Sequence, residues 1–206
     1  MSRRRLFCPW IPVVATGLFA VVLSGCVNLE PETVPVRTYK LSPVLEEPLP
    51  AAADSSLALY VRRVDLPGYL QTRRILAETR DNRIDSSPYA VWAEPFGEGI
   101  ARVVALNLGQ AFGSEQLGYY PWRPSDPEAY FIRIQVVRLD LPEGGDLEMA
   151  ARWSVTRGAD GAKVAGGTFV DSRQPARDAI GSRIDALNQL LGNLAADIAA
   201  AHGEGD

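Results

Sequence analysis

In 206 residues the chain holds two cysteines and one histidine. A Ser-His-Asp triad or an imidazole metal site would have to recruit His202, which lies beside Gly203 and Gly205 and reads as a frayed helix end. Phosphate-loop chemistry is missing as well. Neither Gly97-Glu98-Gly99 nor Gly166-Gly167 runs on to the Gly-Lys-Ser/Thr that cradles a nucleotide. Positive charge is in short supply. With 21 Lys and Arg against 25 Asp and Glu the net charge is −4, the wrong balance for nucleic acid, whose phosphates need clustered cations. Acid pairs such as Glu46-Glu47 fall in loop sequence and read as solvated, so nothing points to a carboxylate-only hydrolase. No catalytic, cofactor or metal residue is left to nominate, and the chain reads as non-enzymatic.

A clean membrane span is also lacking. Residues 6–23 are mostly apolar, but Cys8, Pro9, Pro12, Thr16 and Gly17 interrupt them, where about 20 unbroken apolar residues are expected. What stands there instead is a signal. Arg3, Arg4 and Arg5 precede the apolar stretch, and Leu23-Ser24-Gly25-Cys26 ends it in the bacterial lipoprotein pattern. The small residues admit a peptidase to the backbone, and the Cys26 thiol accepts a diacylglyceryl group. Removing residues 1–25 leaves 181 residues with 18 Lys and Arg against 25 Asp and Glu, a net of −7. Cys8 is discarded and Cys26 is lipidated, so no disulfide is expected. Val27 follows the cysteine where an aspartate would favour inner-membrane retention, so outer-membrane release is expected. Residues 26–37, with Pro31 and Pro35, read as a tether reaching roughly 40 Å at most.

Residues 38–202 are enough for one domain with a real core. Thr38 to Leu41 reads as a short strand, and the proline-rich residues 42–56 as a loop. Leu57, Leu59 and Val61 alternate as a strand does, and residues 74–80 and 83–86 flank Asp81-Asn82 as a hairpin. Phe96, Ile100, Val103, Val104, Leu108, Ala111 and Phe112 then fall at helical spacing, with Pro95 in the first turn. Past the aromatic stretch at 118–127, two strands alternate about Ile132, Ile134 and Val136 and about Leu147, Met149, Ala151, Trp153 and Val155. Gly144-Gly145-Asp146 joins them, and Gly158 to Gly161 leads to a third strand near 163–170, an antiparallel meander. Ile180, Ile184, Leu187, Leu190, Leu191, Leu194 and Ile198 mark a last amphipathic helix, with Arg183, Asp185, Asn188 and Asp197 off its stripe. Its polar face lacks the lysines of a membrane-surface helix, so the stripe is read as core. The expected fold is α+β, two-layered, a mostly antiparallel sheet with two amphipathic helices packed on one face.

Two segments carry more than periodicity. The first is Val64-Asp65-Leu66-Pro67-Gly68-Tyr69-Leu70, followed by Arg73-Arg74-Ile75. The second is Val91-Trp92-Ala93-Glu94-Pro95-Phe96, leading into Arg102 to Leu108. With the lipoprotein signal and Tyr39-Lys40-Leu41, they resemble the PqiC/YmbA family of ABC-type transport auxiliary lipoproteins over nearly the whole mature chain. Gln71-Thr72, Val91 and Phe96 depart from that pattern, where Asp-Arg, Arg and Leu are expected.

The resemblance implies an outer-membrane lipoprotein facing the periplasm. Its implied partners are an MCE-domain protein anchored in the inner membrane and an ABC transporter or permease, in a system moving lipids or other hydrophobic molecules between membranes. A generic scaffold lipoprotein of another envelope complex is the alternative, and a periplasmic hydrolase a third. Read plainly, Pro67-Gly68 suits a type II turn, Trp92 is a core aromatic, and Glu94 is a charge beside a helix N-terminus. The apolar pair Tyr69 and Leu70 beyond the turn invites a partner, so Leu66, Pro67, Gly68, Tyr69 and Leu70 are the candidate contact, with either self-assembly into a ring or binding of several copies around the tip of an MCE ring expected.

Overall fold

The computed structural model describes residues 34–49, 54–79, 83–122, 129–142 and 144–203. The signal segment, Cys26, most of the tether and the Asp81-Asn82 turn lie outside the described residues.

Among the described residues eight strands and two α-helices follow one another: β1 Arg37–Tyr39, β2 Leu59–Val61, β3 Arg74–Glu78, β4 Ile84–Trp92, α1 Phe96–Phe112, β5 Leu117–Tyr119, β6 Tyr130–Asp140, β7 Leu147–Arg157, β8 Lys163–Arg173 and α2 Ile180–Gly203. The strands form two sheets rather than one, in the orders β5-β2-β6-β7-β8 and β1-β4-β3. The fold is α+β, with the helices packed against mixed, mostly antiparallel sheets.

The meander β6-β7-β8 is antiparallel throughout. Its alternation sends Ile132, Ile134 and Val136 of β6 and Leu147, Met149, Ala151, Trp153 and Val155 of β7 into the core, with Arg133, Gln135, Glu148 and Arg152 facing out. A bulge between Val136 and Arg138 inserts one residue, so the buried parity switches and Leu139 is the next core residue. The glycines dismissed as a phosphate loop have a packing role. Gly167 lies opposite Trp153, and a Cβ there would meet the indole at 3.0 Å. That indole N–H donates to the Asp197 Oδ2 of α2 at 2.8 Å.

β2 is the departure from a plain meander. It is parallel to both neighbours, β5 and β6, as the long crossover through β3, β4 and α1 allows. All three of its residues are buried, including Tyr60. β5 overlaps the start of the aromatic stretch at 118–127, whose sequence carries no strand alternation.

Both helices bury their apolar stripes. Leu187, Leu190, Leu191, Leu194 and Ile198 of α2 are buried, as are Ile100, Val103, Val104, Leu108 and Ala111 of α1. The small sheet approaches the N-terminal half of α2, where Ile75 and Trp92 line a gap with Ile184 and Leu187. Asn188, placed by periodicity on the polar face, is instead buried. Its Oδ1 accepts the Ser42 N–H at 3.0 Å. Buried Asn107 does the same from α1, accepting the N–H groups of Val44 and Leu45 at 2.9 and 3.1 Å. The proline-rich segment is thus strapped across both helices. It also serves the end of α1, since Leu49 and Asp54 donate to the Ala111 and Phe112 carbonyls, and Gly113 closes the helix at φ 69. His202 is packed rather than frayed. Its ring stands edge-on to Tyr130 and Phe112, with centroids at 4.9 and 5.7 Å.

Candidate docking site at the turn and the helix start

Leaving β2, the chain buries Val64 and runs beside β6, where Asp65 bridges to Gln135. It then turns. Gly68–Leu70 is a single 3-10 turn closed by Leu70 N–H to the Pro67 carbonyl at 3.0 Å and Gln71 N–H to the Gly68 carbonyl at 3.2 Å. This corrects the type II assignment. A type II turn with Pro67 and Gly68 at its centre would hold the glycine at positive φ, and Gly68 is not among the positive-φ glycines. The Gln71 side chain ties the turn again, donating from Nε2 to the Leu66 carbonyl at 3.1 Å.

The five residues divide by environment. Leu70 points inward and is 3% exposed, Leu66 and Pro67 are half-buried, and Gly68 and Tyr69 face outward. Tyr69 is 43% exposed, yet its hydroxyl donates to the Leu139 carbonyl at 3.3 Å. Partial burial pushes its phenol above the usual range, with the Leu139 bond pulling the other way. Tyr69 is therefore an exposed ring held at its tip, above a leucine anchored in the core.

The second motif lies directly beside the first. The Arg73 guanidinium donates to the Trp92 and Ala93 carbonyls at 3.2 and 3.0 Å, and the Trp92 N–H returns a bond to the Arg73 carbonyl at 2.8 Å. Trp92 is buried and stacks on Phe96 at 4.8 Å between centroids. Pro95 caps α1 from outside its first turn. Glu94 does more than face a helix dipole: it pairs with Arg102, in the second turn of α1, at 2.6 Å, and Arg102 also donates to the Leu41 carbonyl at 2.9 Å. That pair links the end of the small sheet, the helix and the first strand's continuation. Between the two motifs opens a cleft of about 350 Å³, lined by Leu66, Leu70, Gln71, Arg73, Pro95 and Phe96 among others. Cys26 lies outside the described residues.

The hydrogen-bonded turn with its exposed Tyr69 thus sits beside the braced start of a helix on a small α+β domain. The chain belongs to the family of ABC-type transport auxiliary lipoprotein components, which it matches over residues 39–199. It is a non-catalytic auxiliary lipoprotein of ABC-type transport machinery, lipid-anchored at the outer membrane and facing the periplasm. Protein XCC0632 from Xanthomonas campestris is similar in fold, with a TM-score of 0.65 at 17% identity over 82% of this chain and 96% of its own. An uncharacterized protein of known structure is similar at 0.61 and 17% identity, over 81% and 97%. No curated protein matches the chain.

Proposed function

We propose that this lipoprotein is the outer-membrane docking piece for an MCE-domain protein that reaches across the periplasm from the inner membrane. In this reading Cys26 carries the acyl anchor after removal of residues 1–25, and residues 26–37 tether the domain of residues 38–202. A tether of roughly 40 Å at most keeps the domain at its own membrane, so the partner must span the gap. Several copies gather around the partner's tip, because matching the symmetry of a ring repeats one contact at every subunit.

The observation carrying this reading is the exposed Tyr69 ring on a turn whose backbone is tied at Pro67, Gly68 and Leu66 and whose next side chain is sunk in the core. A pre-ordered aromatic loses little freedom on binding, which is what makes such residues effective anchors. Light scattering on the acylated protein in detergent, alone and with its MCE partner, tests it. An assembly of several copies with the partner is expected. A strict monomer that also fails to bind the partner rules the reading out. Palmitate labelling checks the anchor separately: Cys26→Ala should abolish it, and labelling that survives the substitution would sink the lipid assignment.

A further inference from the structure

On the outward face of the large sheet, three guanidinium groups converge. Arg62 and Arg63 leave β2 in succession, and Arg133 projects from β6 alongside. With Tyr60, Phe131 and Tyr120 they line an open cleft of about 860 Å³ whose one acidic lining residue is Asp65. Arg62 lies over the Phe131 ring at 4.6 Å from its centroid, and Arg63 over Tyr120 at 6.0 Å. Phe131 is itself held edge-to-face by Tyr60 at 5.7 Å.

This arrangement differs from an ordinary solvated run of charge. A guanidinium laid on an aromatic face is ordered in advance, and its N–H edges stay free to donate in its own plane. Neither Arg62 nor Arg63 pairs with a carboxylate among the described residues. Asp65 is engaged with Arg133 at 2.9 Å, an exposed pair that contributes little and is readily shared with a competing anion. The cleft therefore carries local positive charge on a chain whose net charge is −4. Such a site attracts an anion where the rest of the surface repels it.

We propose that this cleft binds a phosphate-bearing ligand, with Arg62 and Arg63 donating to its oxygens and Arg133 completing the cradle. Guanidinium forks match phosphate oxygens bidentately. The Ser154 hydroxyl in the lining supplies a further polar contact, and the Phe131 and Tyr60 rings give an apolar flank for carbon attached to the phosphate. Two sources share this chemistry: a phospholipid headgroup and free phosphate. The Tyr69 turn does not line this cleft, which adjoins the one beside that turn through Arg63, Asp65 and Tyr120.

Calorimetry on the acylated mature protein in neutral detergent and phosphate-free buffer tests the assignment. The probes are inorganic phosphate, dihexanoyl-phosphatidylglycerol and neutral dihexanoylglycerol. Saturable binding of a phosphate-bearing probe, weakened by added salt, is expected. The double variant Arg62→Gln, Arg63→Gln should lose about tenfold or more in affinity, as expected for lost charge-assisted hydrogen bonds, with an unchanged melting temperature. Arg133→Gln should lose less, and it serves as the second readout if the double variant folds poorly. Phosphatidylglycerol binding well above phosphate assigns the site to a headgroup, and equal affinities assign it to free phosphate. The proposal is overturned if neither phosphate probe binds, if dihexanoylglycerol binds as well as they do, or if the arginine variants bind like wild type. Loss of the MCE partner in the double variant with no probe binding would also overturn it, making the cleft a protein contact instead.

Discussion

The Asn107 carboxamide, fully buried on α1, accepts the backbone N–H of Val44 at 2.9 Å across 63 residues of sequence. With Leu45 bonded to the same oxygen and Ser42 bonded to Asn188, an otherwise irregular segment has its donors met inside the protein. Burial without such partners would cost free energy for each orphaned N–H. Asn107→Leu keeps the volume and removes the acceptor. It should destabilise the domain by about 2 kcal/mol, read by urea denaturation, and should expose residues 42–49 to protease. Unchanged stability would mean that water replaces the carboxamide.

The strap packs tightly over Gly192 of α2. A Cβ at this helical position would collide with Cγ2 of Val44. Glycine to alanine in a helix interior normally stabilises by up to about 1 kcal/mol. Here the sign should reverse, because a valine side chain has few rotamers to retreat into. Gly192→Ala should lower the melting temperature, and adding Val44→Ala should recover part of the loss. An additive pair of effects would show that the two residues do not meet.

The α2 stripe should respond as core. Leu191 is 0% exposed, so Leu191→Asp buries an unpaired carboxylate and should cost several kcal/mol, on the order of 4. Circular dichroism on heating is the measurement. A melting temperature equal to wild type would place the stripe against a partner instead.

Tyr69 and Leu70 are adjacent but should behave oppositely. Leu70→Ala removes a core side chain and should cost about 2–4 kcal/mol of stability. Tyr69→Ala gives up an exposed ring and one long hydrogen bond, about 1 kcal/mol or less. Its main effect should appear in partner affinity, measured by light scattering or calorimetry. Equal stability losses at both positions would mean that the turn is structural throughout.

Both helices and the three-strand meander were legible in the sequence. Their signals are local: Ile180 to Ile198 repeat at helical spacing, and Ile132 to Val136 and Leu147 to Val155 alternate, so each segment declares which face is apolar wherever the rest of the chain lies. The spacing of Leu23-Ser24-Gly25-Cys26 behind three arginines is equally local. Tertiary structure alone decided that β2 enters the large sheet parallel to both neighbours and that β1, β4 and β3 form a second sheet. It also decided that Asn107 and Asn188 lie inside, that Leu70 and Tyr69 part company, and that Arg62 meets Phe131. Each of these depends on a partner far away along the chain. The Asn107 and Asn188 oxygens are accommodated in the interior because N–H groups of a distant segment donate to them, and no period in the sequence reports which N–H groups those are.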